Sequence, residues 1–200
     1  MESSSVSPSL TAADLMPLEQ YARERGAIRA RMIGYRAARR LQIGTNCTWS
    51  FEDRETVRYQ IQEMLRTERI FEPAGIAEEL AAYNPLIPDG SNLKATLLIE
   101  YPDPAERAQR LSELRGIEHR CWLQVAGHAP VFAIADEDLE RSNEQKTSAV
   151  HFLRFEFTAG MIASLQAGAS LAAGIDLPAY AQNVDPLPAT LRAVLLADLT

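Results

Sequence analysis

Hydrophobic residues recur at helical spacing over much of the chain. Between residues 18 and 40 the apolar side chains follow alternating steps of three and four residues, which predicts a long N-terminal helix. Its apolar stripe consists of Leu18, Tyr21, Ile28, Met32 and Tyr35. Similar patterns predict further helices over residues 54–70, 76–83, 104–115, 158–168 and 186–199, and an acidic segment at 136–140 favours the start of another.

Other segments show the alternation that is typical of half-buried strands. Residues 43–51 predict one such strand, with Cys47 on its apolar face as an unreactive core residue. Further strands are predicted over 93–101, 148–157 and 169–175, with a hairpin of 119–126 and 130–135. Since helices and strands mix without regular alternation, we expect an α+β fold: a mainly antiparallel sheet of about five or six strands packed with helices.

The chain length of 200 residues fits one domain. We expect a single α+β domain over residues 11–200, preceded by a flexible Ser-rich tail at residues 1–10. The N-terminal sequence lacks the basic and apolar regions of a signal peptide, and the apolar segment 159–174 is too short to cross a bilayer. With only Cys47 and Cys121 as cysteines, the protein is expected to be cytoplasmic, with no membrane association.

Charge is distributed unevenly along the chain. The net charge is −7, yet residues 1–70 carry 11 arginines against 9 acidic residues. Seven of these arginines, against two glutamates, lie in the helix predicted over 18–40. The overall acidity argues against general nucleic-acid binding, whereas the basic helix leaves open that residues 18–40 bind a partner or a nucleic acid.

The candidate functional residues are polar side chains at the ends of the predicted elements, where rigid scaffolds usually carry function. They are Glu52, Asp53, Arg54, Glu68, Asn84, Asp89, Asn92, Lys94, Lys146, His151 and Arg154. We expect them to line a polar cleft for a small polar or anionic ligand. No known catalytic motif occurs, so the sequence leaves open whether the protein is an enzyme.

Several of these side chains also have structural explanations. His151 lies on the apolar face of its predicted strand, where it is either a hydrogen-bonded core histidine or a catalytic base. Arg54 lies on the apolar side of its helix and needs a partner from another element, because a buried lone charge is expensive. The histidines and cysteines match no compact zinc motif and no Glu-x-x-His pair occurs, so no metal and no cofactor are predicted.

Four segments carry a resemblance to a known family: EQYAR at 19–23, FEDRETVRYQIQEMLR at 51–66, YNPLIPDGSNLKAT at 83–96 and EQKTSAVHFLRFEF at 144–157. Together they resemble the bacterial domain of unknown function 3501 family over nearly the whole chain after residue 10. That family offers no catalytic residues to transfer. Its members are often encoded beside a rubrerythrin-like protein and an iron–sulfur oxidoreductase.

Three functional hypotheses follow. The resemblance implies a cytoplasmic accessory or binding protein of a redox or oxidative-stress system, with rubrerythrin-like and iron–sulfur proteins as partners. The polar junction residues favour a small enzyme or a ligand-binding module for a small anionic ligand. The basic helix 18–40 favours binding of a partner protein or, against the overall acidity, of a nucleic acid.

Overall fold

The computed structural model describes residues 9–138, 141–142 and 145–200. Backbone contacts divide the chain into two compact units: a helical unit of residues 1–37 and 52–89, and a sheet unit of residues 38–51 and 90–200. The expectation of one domain over residues 11–200 stays a prediction.

The helical unit is built from α1 (Leu18–Ala37), α2 (Arg54–Glu68) and α3 (Pro73–Tyr83), with short 3-10 helices at Ala12–Asp14 and Asn84–Leu86. Asp53 caps α2, because its carboxylate accepts a hydrogen bond from the backbone N–H of Thr56 at 2.8 Å. The core is a single apolar cluster centred on one face of α2. Its buried members are Leu10, Val57, Ile61, Leu65, Leu80 and Ile87.

The end of helix α1 and the segment before it both differ from the sequence prediction. Helix α1 ends at Ala37 and not near Arg40, because Arg40 pairs with Ser50 in a sheet. Leu10, assigned to the flexible tail, is buried, and its backbone N–H and C=O bond the side chain of Asn84 at 2.7 and 2.9 Å. Residues 1–8 of the predicted tail lie outside the described residues.

The sheet unit contains nine strands and three helices within the described residues. The strands are β1 (Arg40–Ile43), β2 (Cys47–Phe51), β3 (Asn92–Ile99), β4 (Cys121–Val125), β5 (Val131–Phe132), β6 (Ile134–Ala135), β7 (Val150–Glu156), β8 (Leu171–Leu177) and β9 (Tyr180–Val184). The helices are α4 (Pro104–Glu113), α5 (Ala159–Gln166) and α6 (Ala189–Leu196), with a 3-10 helix at Ile117–Arg120.

The strands form two antiparallel sheets. One has the order β1-β2-β3-β7-β6 and the other β5-β4-β8-β9. The α+β class with antiparallel pairing is therefore confirmed, although the strands belong to two sheets and not to one. No helix in the described part of the chain is long and apolar enough to cross a membrane.

The strand predicted over 43–51 is instead a hairpin. Gly44 adopts a left-handed conformation with φ 64°, so the chain reverses between β1 and β2. The hydroxyl of Tyr180 holds this turn: it donates to the carbonyl of Ile43 at 2.9 Å and accepts from the N–H groups of Asn46 and Cys47. Because Tyr180 lies far along the chain in β9, the local pattern gives no signal for the turn.

The chain changes sheets near Ala133. Phe132 in β5 pairs with Trp122, as the predicted hairpin requires, whereas Ile134 in β6 pairs with Arg154 of β7. The helix start predicted at 136–140 is absent at Asp136, which adopts φ 52°, and residues 139 and 140 lie outside the described residues.

One apolar cluster holds the sheet unit together. Its centre includes Trp49 stacked on Phe155 with ring centroids 5.3 Å apart. Cys47 and Cys121 are fully buried within it, which confirms the predicted burial of Cys47. Burial raises the pKa of the Cys47 thiol to about 12, so the thiolate that would react is strongly disfavoured.

Candidate functional site

A groove runs along one side of the helical unit, and we call it the helical groove. It lies among the N-terminal 3-10 segment, α1 and α2, and has a volume of about 370 Å³, within the usual range for small-molecule sites. Its apolar lining residues are Leu15, Met16, Pro17, Tyr21, Ile28, Met32 and Tyr59. Its polar lining residues are Asp14, Gln20, Glu24, Arg31, Glu55, Arg58 and Gln62.

Two buried polar side chains of α1 and α2 fix the groove's inner wall. Gln62 accepts a hydrogen bond from the N–H of Met16 at 2.8 Å and donates to its C=O at 3.1 Å, so it ties the segment before α1 to α2. Tyr21 donates to Glu63 at 2.5 Å, and Arg25 binds the same carboxylate through two nitrogens at 2.8 and 2.7 Å.

The Tyr21–Glu63–Arg25 cluster raises the pKa of Tyr21 and of Arg25 and lowers the pKa of Glu63. Burial, reinforced by the hydrogen bond to Glu63, raises the pKa of Tyr21 well above its ordinary value. The guanidinium of Arg25 lowers the pKa of Glu63. The two shifts keep the phenol protonated and the carboxylate ionised near neutral pH, so the hydrogen bonds that hold α1 against α2 persist there.

Most charged side chains of the groove already have partners. Asp14 binds Arg54 at 2.6 Å, and mainly for that reason its pKa is lowered to about 2. Glu55 pairs with Arg58 at 2.6 Å, and Glu24 accepts from Gln20 at 2.9 Å.

Arg31 differs from these lining residues. It is exposed on α1 and forms neither an ion pair nor a hydrogen bond with any described residue. It is thus the lining cation that is available to a ligand.

The sheet unit contains a second polar assembly, which we call the His151 network: Glu118, Asp136, Thr147 and His151. Nδ1 of His151 donates to Asp136 at 2.6 Å. On the other side of the ring, Nε2 lies 2.8 Å from the Thr147 hydroxyl and 3.0 Å from the carbonyl of Ser148.

Both carboxylates of the network have further donors. Asp136 accepts from the N–H of Phe152 at 3.0 Å, and the guanidinium of Arg141 lies 3.3 Å from the same oxygen. Glu118 accepts from the hydroxyl of Ser142 at 2.6 Å. The network therefore connects the segment after β6 with β7 and with the 3-10 helix that carries Glu118.

The network has the chemistry of a nucleophilic triad but not its accessibility. Thr147, His151 and Asp136 form a hydroxyl–imidazole–carboxylate series, the arrangement that activates nucleophiles in many hydrolases. However, Thr147 is 1% and His151 0% exposed, so no substrate reaches the hydroxyl. The arrangement fits the hydrogen-bonded core histidine that the sequence offered as one alternative for His151.

Glu118, Asp136 and His151 form the one group of potential metal ligands among the described residues, with ligand atoms within 4.8 Å of one another. A zinc ion needs its nitrogen and oxygen ligand atoms at about 2.0–2.2 Å from a single point. Asp136 instead bonds Nδ1 directly, while Glu118 lies 3.9 Å from Nε2 on the other side of the ring. The described arrangement is that of a hydrogen-bond network, in which Nδ1 is already bonded to Asp136.

Six of the predicted site residues lie in the helical unit. Glu52 is buried and accepts from the Thr56 hydroxyl at 2.6 Å, and Asp53 is the cap of α2. Arg54 has the partner from another element that the sequence required, Asp14. Asn84 anchors Leu10, whereas Asp89 and Glu68 are exposed.

The other five lie in the sheet unit. Lys94 and Arg154 are paired positions on β3 and β7, as are Asn92 and Glu156, so the register brings Asn92, Lys94 and Arg154 to one face. Asn92 donates to Glu156 at 3.0 Å, and Arg154 binds both Glu137 and Glu156. Lys146 is exposed in the segment before β7, and His151 is the centre of the buried network.

The sequence pattern did not single out several polar residues of the helical groove and of the His151 network. Arg31 was one of seven arginines in a basic helix, with nothing local to distinguish it. Gln62 lies beside the apolar stripe of α2 and is only 4% exposed. The sequence pattern does not indicate this burial, because glutamine is polar. Glu118 and Asp136 gave no signal either, because they come together with His151 only through the change of sheets.

Fold and site together define an α+β protein with antiparallel sheets and an open groove in its helical unit. The chain belongs to the family described as "Protein of unknown function (DUF3501)", whose sequence profile matches residues 9–199. The chain is also similar to a solved structure described as a novel protein of unknown function from Burkholderia pseudomallei K96243. The two share 50% identity and a TM-score of 0.91, and the match covers 96% of this chain and 100% of that one. No curated protein matches the chain.

Proposed function

We propose that the protein binds a small organic anion in the helical groove. The observation that carries this proposal is the combination of an apolar lining with Arg31, the lining cation that has no partner among the described residues. Ligand pockets typically combine an apolar wall with a few polar groups that fix orientation. An arginine at such a wall suits a carboxylate or a sulfonate, because its planar fork donates two parallel hydrogen bonds.

The pairing of the other charged groups supports the groove over the predicted junction residues. Arg154 already binds two carboxylates, and Arg54 already binds Asp14. A ligand at either arginine would have to displace an existing ion pair, whereas at Arg31 it would displace only water.

A fluorescent aromatic sulfonate, 1-anilinonaphthalene-8-sulfonate, tests the proposal with the folded full chain. We expect saturable binding at one site and a loss of affinity of about 10-fold or more in Arg31→Ala, since a hydrogen bond to a charged group contributes roughly 1.5–3 kcal/mol. Ile28→Trp, which fills the groove, should also reduce binding. The matched control is Arg23→Ala, because Arg23 is exposed on the same helix but does not line the groove.

Equal probe affinity in the wild type, Arg31→Ala and Ile28→Trp would overturn the proposal, as would absence of saturable binding. The melting temperature of each variant must accompany the titration, since this probe also binds partly unfolded protein. A lowered melting temperature identifies a variant that binds more probe only because it is partly unfolded.

A partnership with a redox system is a second proposal, and it is supported by the family resemblance. In that proposal the protein acts beside a rubrerythrin-like and an iron–sulfur protein in the cytoplasm. Co-purification of the three chains at micromolar concentration supports it, and a chain that stays alone in their presence contradicts it.

A further inference from the structure

Within the helical unit, helix α1 has a long exposed face. Of its 20 residues only Tyr21 and Met32 are buried. On the side away from the groove, steps of three and four residues place small and apolar side chains on one stripe. The stripe consists of Ala22, Gly26, Ala30, Ile33 and Ala37, all exposed.

Two observations show how open this stripe is. Ile33 is 65% exposed, which is unusual for an isoleucine in the middle of a helix. A Cβ atom added at Gly26 would meet no atom of the described residues within 4 Å. The backbone of a second helix can therefore approach α1 closely along this face.

Arginines border the stripe on both edges. Helical geometry at 100° per residue places Arg29 and Arg36 on one edge and Arg23 on the other. None of the three forms an ion pair or a hydrogen bond within the described residues, in contrast to Arg25, which binds Glu63. Glu19 is exposed near the N-terminal end of the same face. Three arginines without a partner in the described part of the chain are notable, since the net charge is −7.

We infer that this face of α1, the α1 docking face, binds an acidic amphipathic helix of a partner protein. The small residues allow close packing, Ile33 supplies the apolar anchor, and the flanking arginines pair with carboxylates of the partner. A length of 20 residues corresponds to about 30 Å, enough for five turns of a partner helix. The inference is independent of the helical groove, which lies on the other side of α1.

Charge distinguishes this occupant from two others. A second copy of the chain that docked through the same face would bring arginine borders near each other, which is unfavourable. A nucleic acid would pair with the arginines but would leave the apolar stripe exposed to water. An acidic amphipathic helix covers the apolar stripe with its own apolar face and pairs its carboxylates with the flanking arginines.

Photo-crosslinking from the docking face tests this inference in the cells that encode the protein. A photoreactive amino acid replaces Ile33, and in a matched control it replaces Phe71, an exposed aromatic residue of the same unit with 66% exposure. We expect one protein to be captured from position 33 and not from position 71. The crosslinked peptide should be an amphipathic helix rich in Asp and Glu.

Charge reversal then tests the arginine borders with the purified pair. Arg23→Glu, Arg29→Glu and Arg36→Glu combined should weaken binding at least 10-fold, whereas the corresponding three Lys substitutions should weaken it less. Circular dichroism and the melting temperature check the fold of both variants, because Arg36 is half-buried even though it bonds no described residue. Capture of nucleic acid or of a second copy, equal capture from both positions, no capture, or binding unaffected by charge reversal would each overturn the inference.

Discussion

The helical groove and the His151 network use charged side chains in opposite ways. In the network, Glu118, Asp136 and His151 have side chains no more than 8% exposed, and each is hydrogen-bonded. In the groove, Arg31 is exposed and has no partner among the described residues. A satisfied buried group stabilises one fold, whereas an open and unsatisfied one is available to a ligand.

We therefore expect the His151 network to contribute to stability and the helical groove to contribute to the proposed ligand binding. Changes in the network should lower the free energy of unfolding, because they leave buried charge without partners. Changes at Arg31 should alter ligand affinity and leave stability almost unchanged. A network variant that leaves stability unchanged, or an Arg31 variant that lowers stability, would contradict this division.

The largest effect is expected from His151→Ala. Without the imidazole, the buried carboxylate of Asp136 loses one donor and the Thr147 hydroxyl loses a hydrogen-bond partner. Leaving a buried charge without its partner costs about 3–5 kcal/mol. Urea-induced unfolding followed by circular dichroism measures the loss. The control is His119→Ala, whose side chain is 66% exposed and whose loss should stay within about 0.5 kcal/mol. A loss below about 1 kcal/mol for His151→Ala would show that the network does not support the fold.

Substitutions of Asp136 test the network in more detail, because both its backbone conformation and its carboxylate contribute to stability. Its φ of 52° lies in the left-handed region, which Asn tolerates and most other residues do not. Asp136→Ala should cost roughly 2–4 kcal/mol, since it removes the acceptor of His151 and of the Phe152 N–H. Asp136→Asn keeps one acceptor oxygen and should cost about half as much. Equal losses in urea unfolding would mean that the charge alone matters.

The difference between local and long-range information explains what the sequence could predict. Strand alternation placed Cys47 and the apolar face of β2 correctly, and the α+β class followed from the mixture of elements. The hairpin at Gly44 escaped prediction because Tyr180 holds it from β9. The His151 network escaped because the switch of sheets near Ala133 aligns Asp136 with β7.

For the same reason, local sequence patterns indicate less about a binding site than about the fold. Junction residues such as Asp53 and Asn84 are polar for local structural reasons, a helix cap and an anchor for Leu10, which the sequence pattern cannot separate from ligand binding. Arg31 is distinguished from neighbouring arginines only by the position of carboxylates in space. Helix periodicity predicts on which face of a helix a residue lies, but it does not predict which residues of other elements that side chain contacts.

Gln62 connects the two halves of the comparison, since it is a buried polar residue that shapes the open groove. Gln62→Ala removes both hydrogen bonds to Met16 and should cost about 1–2 kcal/mol in urea unfolding. Probe binding in the groove should weaken as well, because the segment before α1 is no longer held. Gln60→Ala on the same helix is the matched control, as Gln60 bonds no described residue. Unchanged probe binding in Gln62→Ala would mean that this segment does not form the groove wall.

The smallest effect concerns Asp14 and its pH dependence. Its pKa is lowered to about 2 by the hydrogen bond from Arg54, helped by bonds from the Thr11 backbone and hydroxyl. A carboxyl whose pKa is depressed in the folded state contributes stability above its unfolded value of about 3.9 and loses it as the pH falls toward 2. The pairing should therefore be complete near neutral pH and weaken only between about pH 4 and pH 2.

Carboxyl chemical shifts of Asp14, followed by NMR across that range, measure this pKa directly. In Arg54→Met the pKa should rise toward the ordinary range of an aspartate, while the bonds from Thr11 keep it somewhat lower. Arg58→Met is the matched control, because Arg58 belongs to the same helix but pairs with Glu55. If Asp14 titrates identically in Arg54→Met and the wild type, the ion pair does not hold the groove's edge. Arg54 would then be available to a ligand as Arg31 is, and the distinction drawn between paired and unpaired arginines in the helical unit would fail.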